Sequence, residues 1–374
     1  MATRAVSETS SAGLARHPSA GSHRGQYGPS RSGINEGTHL SPRSMQHSST
    51  MRQPSIVQPT ESPSEVFLVG METGQLTMYD FETGEPLRSC AGHTDTIFAL
   101  DVDWQTMRAV SGGADGTVWL WNLADGQGSE LNPAGTMLGC VRCLAADWCA
   151  GGAGRALSGS DAGCLAFWDF SERRCSRVLE FQLGIICSFA VDWAKSRALI
   201  GHRDDRLDLV DLEAEELLMS IVGHTCLVTA IAVHWPKARA AVGSGDGALV
   251  VWDMRKKTPL SVLKGHRGSI SALAADWQAK VLVSGSEDGH VRFWAARTGE
   301  CLRVLSGHAA PVRCLSVHWE AGAVAAGSAQ GDVLMWELPT DSAQHMPPGG
   351  PVVQPRTLLR DSGQGAASVI CLRL

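Results

Sequence analysis

Residues 265–308 read GHRGSISALAADWQAKVLVSGSEDGHVRFWAARTGECLRVLSGH. Four short runs inside this stretch are separated by turn residues. Ser269–Ala275 is small and apolar, as an inner strand covered on both faces near a narrow axis must be. Val281–Ser284 and Val291–Trp294 are β-branched or aromatic, with Glu287-Asp288-Gly289 turning between them. Cys301–Leu305 follows Thr298-Gly299 as a fourth strand. The unit therefore predicts one four-stranded antiparallel sheet that cannot bury both faces alone.

The same pattern recurs outward in both directions. The aromatic that closes the third run, Trp294, has counterparts at Tyr79, Trp121, Trp168, Val210, Trp252 and Trp336, spaced by 42 residues except for one step of 47. The longer step holds an insertion in the third unit, partly Cys149–Gly154. Gly-His pairs end at His93, His224, His266 and His308, each 28 residues before its aromatic. Asp115, Asp204, Asp246 and Asp288 each stand six before it. A second tryptophan series, Trp104, Trp148, Trp193, Trp235, Trp277 and Trp319, follows the first run of each unit. Four strands per unit at this period mean propeller blades.

Gly-His, then Ser-Gly-Ser-Glu-Asp-Gly, then Val-Arg-Phe-Trp resembles the blade signature of the WD40 family, over roughly residues 64–374. The resemblance implies an all-β fold, a seven-bladed propeller. Its first unit, Glu65–His93, lacks a first strand, and Ala366–Leu374 carries a first-strand pattern. The expectation is that the C-terminal segment completes the first blade and removes an open sheet edge. Residues 63–374 then form the propeller, with the proline-bearing Glu337–Arg356 as an excursion in the last blade. Residues 1–62, rich in Ser, Pro, Gly, His and Arg without a sustained period, are expected to be a disordered tail. Ser41-Pro42-Arg43, Ser62-Pro63 and Arg52-Gln53-Pro54-Ser55 are candidate phosphorylation sites there.

The family's buried hydrogen-bond chain runs from a loop Asp to the Gly-His imidazole, a strand hydroxyl and the strand Trp. The resemblance places complete sets at His93, Ser111, Asp115 and Trp121, and at His266, Ser284, Asp288 and Trp294. The fifth blade has His224, Asp246 and Trp252 but Val242 in place of the hydroxyl. The seventh keeps His308 and Trp336 with Ala326 and Gln330, the third has Ser158 and Trp168 with Met137 and Ala162, and the fourth has Asp204 with Gln182, Ile200 and Val210. Blades one, three and four are expected to rest mainly on apolar packing. Where the family turns with Ser-Pro-Asp-Gly, this chain has Asp-Trp or His-Trp. Each such Trp is read as covering the neighbouring blade rather than forming a binding rim.

Apolar residues make up 44% of the 374, and no apolar run approaches the length that crosses a bilayer, so a soluble protein is expected, without membrane partners. The opening MATRAVSETS has no secretory apolar stretch, though its Arg and Ser faintly resemble a transit peptide. Eleven scattered cysteines suit a reducing compartment, and the expected location is cytoplasmic, with the nucleus as the alternative. Residues 1–60 carry six Arg and two Glu, +4 within a total of −6, so the rest carries −10. That balance argues against nucleic acid as a partner.

Candidates for chemistry read as structure. Cys140-Val141-Arg142-Cys143 has CxxC spacing but lies in a strand without a second pair. Gly201–Arg206, with His202, Asp204 and Asp205, reads as a charged turn. Gly112–Gly116 and Gly243–Gly247 are inter-strand turns without a following helix. No catalytic residue, metal site or cofactor is assigned, and an enzyme is not expected. In the WD40 family, contact residues follow the Gly-His and precede the loop Asp. Carried over, that implies Glu72, Thr96, Phe98, Arg142, Asp161, Arg203, Leu227, Ser269, Glu287 and Arg313 at the propeller mouth. The expected role is a scaffold or adaptor for other proteins or peptides, monomeric within a larger complex. The rival is a substrate receptor of a cullin-4 ubiquitin ligase, because Trp252-Asp253-Met254-Arg255 resembles the Trp-Asp-x-Arg box.

Overall fold

The computed structural model describes residues 65–131, 139–148, 154–181, 184–223, 226–337, 354–359 and 368–374. All belong to the second of two units, Thr60–Leu374. The tail expected over 1–62, His224, Met137, Gln182 and most of the Glu337–Arg356 excursion lie outside them.

Seven four-stranded antiparallel sheets, one per repeat, make up this unit. Blade 6 is formed by Ile270–Asp276, Val281–Ser286, Val291–Ala295 and Cys301–Leu305, the runs that the spacing of its turn residues predicts. Blades 2 to 5 repeat it, with inner strands Ile97–Asp103, Val141–Asp147, Ile186–Asp192 and Val228–His234. Blade 7 begins at Val312–His318 and ends with Arg356–Leu359. Blade 1 is split: Val369–Arg373 pairs antiparallel with Val66–Met71, which pairs with Leu76–Asp80 and then Pro86–Cys90. Each inner strand adjoins the next, from blade 1 through blade 7 and back, so the ring is closed.

The core is a set of seven apolar layers between blades. In the layer between blades 6 and 7, Val283, Val291 and Phe293 meet Val312, Leu315 and Val324. The strand aromatics Trp121, Trp168, Trp294 and Trp336 are fully buried in these layers. Towards the axis the side chains shrink. Ala99, Cys143, Ser188, Ala230, Ala272, Cys314 and Cys371 share one inner-strand position, where larger groups would push the blades apart.

Blade 4 corrects one sequence expectation. His202 is not part of a turn: it ends the strand Arg197–His202 and is fully buried. Beside the apolar packing expected of this blade, His202 Nε2 lies 3.2 Å from the buried carboxylate of Asp208. The charged turn does contain the Asp204–Arg206 pair, at 3.5 Å.

Candidate functional site

Every inner strand carries a register break after its first residue, a β-bulge that leaves the second residue unpaired. The breaks fall at Ile97/Ala99, Val141/Cys143, Ile186/Ser188 and Val228/Ala230. They recur at Ile270/Ala272 and Val312/Cys314, and in blade 1 between Val369 and Cys371. A bulge re-aims the extra side chain. The seven that result are Phe98, Arg142, Cys187, Thr229, Ser271, Arg313 and Ile370, and all line one axial cavity of about 640 Å3.

All ten residues assigned to the mouth from the sequence line this same cavity. Phe98, Arg142 and Arg313 come from the bulges; Thr96, Leu227 and Ser269 precede the inner strands; Glu72, Asp161, Arg203 and Glu287 come from the turns after the second strands. Sequence reading missed Cys187, Thr229, Ser271 and Ile370. Their repeat position, equivalent to Arg142 and Arg313, was the available signal, but none is charged or aromatic.

Charge in the cavity is partly self-compensated. Arg313 pairs with Glu287 at 2.9 Å, and Arg142 lies 3.9 Å from Asp161 and 4.5 Å above the Phe98 ring. Arg203 of blade 4 and Glu72 of blade 1 have no ion pair among the described residues, and they stand on opposite sides of the ring. Burial pushes the Cys187 thiol up, partly offset by Arg142 and Arg203, which leaves it a poor nucleophile at neutral pH.

The two complete hydrogen-bond chains form as the resemblance implies. In blade 2 the Asp115 carboxylate can only accept, so His93 Nδ1 donates to it at 3.0 Å. Ser111 Oγ lies 2.8 Å from His93 Nε2 and accepts from Trp121 Nε1 at 2.8 Å. Blade 6 repeats this through His266, Asp288, Ser284 and Trp294. In blade 3, Trp168 donates to Ser158. Blade 7 has Ala326 at the hydroxyl position: His308 reaches the Ala326 carbonyl at 3.1 Å, and the buried Trp336 N–H finds no acceptor among the described residues.

On the opposite face the Asp-Trp turns form staples between blades. Asp147 pairs with Arg155 at 3.0 Å, and that guanidinium lies 4.9 Å from the Trp193 ring of the next blade. Asp192, Arg197 and Trp235 repeat the arrangement one blade on. Trp193 and Trp235 thus each cover the neighbouring blade.

The remaining candidates serve the framework. Cys140 precedes the strand that begins at Val141, and its N–H is bound by Asp161. Among the described residues no group of three or more His, Cys, Asp or Glu is placed to hold a metal ion. Trp252 is buried, and Asp253 accepts the N–H groups of Arg255 and Lys256. Asp80, Asp169 and Asp211 close the corresponding turns in the same way, so this hydrogen bonding is common to several blades.

Seven blades of this composition around a bulge-lined axial mouth define a WD40-type propeller. The family model for the WD domain, G-beta repeat, matches residues 84–122, 215–253, 257–295 and 299–337. The chain belongs to the WD40-repeat family. Among curated proteins it is similar to eukaryotic translation initiation factor 3 subunit I of Bombyx mori, 43% identical over 44 residues, 12% of this chain and 13% of that one. The same subunit of Xenopus tropicalis is 41% identical over 44 residues, covering 12% and 14%. The chain thus spans about one seventh of these relatives' length in the match. Among solved structures, the computationally designed Ika8 protein shares the fold, with TM-score 0.59 and 24% identity over 83% of this chain and 88% of that one.

Proposed function

We propose that this propeller is a non-enzymatic scaffold that takes a short, partly acidic peptide segment at its axial mouth. A WD40 propeller supports a protein-interaction role. The observation that carries the finer reading is the cavity of about 640 Å3 in which Arg203 stands without a carboxylate partner among the described residues. An acidic side chain entering the mouth meets Arg203, while Phe98 and Ile370 offer apolar contact. Glu72, across the ring, suits a donor on the same peptide. Aromatic and Arg groups of this kind anchor interfaces. The self-paired Arg142 and Arg313 hold the rim in shape and select against a partner that cannot match them.

The test is affinity purification with the full chain and with Arg142→Glu, Arg203→Glu and Arg313→Glu, read by mass spectrometry. Arg203→Glu is expected to remove one or more partners. An unchanged partner set in all three variants would end the mouth hypothesis.

A further inference from the structure

The inter-blade groove between blades 5 and 6, on the face opposite the mouth, breaks the staple pattern. In blades 3 and 4 the Arg that opens the second strand is neutralised by the turn Asp of its own blade. Blade 5 has His234 at that turn position. Its imidazole accepts the Lys237 N–H at 3.0 Å and lies edge-on to Trp277, 5.7 Å between ring centroids. The histidine thus takes the place over the next blade's tryptophan that an arginine fills in blades 3 and 4. Arg239, the equivalent arginine, is left exposed without a carboxylate.

Three more cations converge on the same cleft of about 410 Å3: Lys237, Lys280 and Arg297, all exposed. No carboxylate lines it, and none of the four cations forms an ion pair among the described residues. Part of the wall is apolar, with Leu260 46% exposed beside Val251 and Ala296. This gathers four positive charges in a domain whose residues beyond 60 sum to −10.

The geometry points to a phosphate monoester carried on a protein segment as the ligand of this cleft. A phosphoseryl or phosphothreonyl group brings nearly two negative charges and three acceptor oxygens, which two guanidinium forks and two ammonium groups can meet together. A single carboxylate would leave most of that charge uncompensated. The exposed Leu260 gives the flanking residues of a peptide an apolar contact. A nucleic-acid backbone needs a continuous basic track. One blade back on this face, the turn bearing Glu213, Glu215 and Glu216 interrupts it.

The test measures fluorescence anisotropy of a labelled Gly-Leu-phosphoSer-Leu-Gly peptide with the full chain. Its unphosphorylated twin and a labelled dodecauridylate are run beside it, and inorganic phosphate serves as competitor. The phosphopeptide is expected to bind about tenfold or more tighter than its twin, and inorganic phosphate to displace it. Arg239→Gln combined with Arg297→Gln is expected to abolish that preference. Lys280→Gln alone, with an unchanged melting midpoint, is expected to weaken it about threefold. Arg203→Glu at the mouth should leave it intact, which separates this site from the one proposed above. The inference is overturned by any of three results: equal binding of the two peptides, a preference that survives the Arg239/Arg297 variant and Lys280→Gln, or dodecauridylate binding tighter than the phosphopeptide through the same residues.

Discussion

His202 Nε2 lies 3.2 Å from Asp208 Oδ2 between two neighbouring strands of blade 4, with both side chains at most 1% exposed. The pair sits in a blade with Ile200 and Val210 where blades 2 and 6 have the serine and tryptophan of their buried chain. Burial alone would raise the Asp208 carboxyl. The close His202 and Ser220 side chains, with the Arg206 guanidinium at 3.5 Å, hold it below its ordinary 3.8. Asp208→Ala strands His202 in the core and is expected to cost about 3 kcal/mol or more in urea unfolding. The equivalent positions of blade 7 are Ser328 and Leu334. His202→Ser combined with Asp208→Leu should therefore cost less than Asp208→Ala alone. Additive single and double effects would show that the pair is not coupled.

Blade 7 offers the converse experiment. Ala326 occupies the place where Ser284 bridges His266 and Trp294 in blade 6, and the buried Trp336 N–H goes unpaired among the described residues. Ala326→Ser supplies an acceptor within the existing framework and is expected to stabilise the protein by about 1 kcal/mol. Ser284→Ala removes one bridge from two buried groups and is expected to destabilise by about 1–3 kcal/mol. Equal, negligible shifts in both denaturation curves would contradict this account of the bridge.

Acid sensitivity should begin with the histidines. Burial lowers the pKa of His266, opposed by Asp288, and lowers that of His308, opposed by the Ala326 carbonyl and Asp332. A folded-state pKa below the unfolded 6.5 means that the unfolded chain binds protons first. Stability from these groups is present above 6.5 and is lost as pH falls through their lowered values. Unfolding free energy should thus begin to decline as pH falls through about 6.5. The decline should flatten in His308→Gln, whatever that variant's stability at pH 7. Asp115, Asp208 and Asp288, all held low, add a second loss only below about 4.

Periodicity made the blades legible, because a large apolar residue, tryptophan in five of the seven units, recurs at steps of 42 residues with one of 47 and reports a layer that must be filled in each repeat. The lining of the axial cavity was legible for the same reason: Phe98 and Arg313 stand five residues after His93 and His308, and Arg142 holds the same repeat position. What escaped was whatever departs from the repeat. His202 looked like a turn residue because its partner, Asp208, lies across a strand pair rather than beside it in sequence. The cationic cleft escaped because Arg239, Lys280 and Arg297 are 41 and 17 residues apart. They meet only when two blades pack. The charge sum of the whole domain hid them further.

The ring depends on one late strand. Val369–Arg373 supplies the inner position of blade 1, with Val369 and Leu372 buried. Its fit is close, since a methyl group at Gly70 would meet Cys371 Sγ at 2.3 Å. The segment also ties three blades together. Leu374 O accepts from Trp104 Nε1 of blade 2 at 2.9 Å, and Leu374 N donates to Ser316 Oγ of blade 7 at 3.2 Å. Without it, Val66–Met71 presents an unpaired edge next to an open apolar layer, a template for pairing with another chain. A chain ending at residue 367 is expected to self-associate in size-exclusion chromatography and to lose its single cooperative melting transition. Leu372→Ala, which keeps the strand, is expected to cost about 2–5 kcal/mol and to elute as the full chain does. A monomeric truncated chain with the same melting midpoint would show that the ring holds without its inner strand, and the shared sheet would then have no part in closing it.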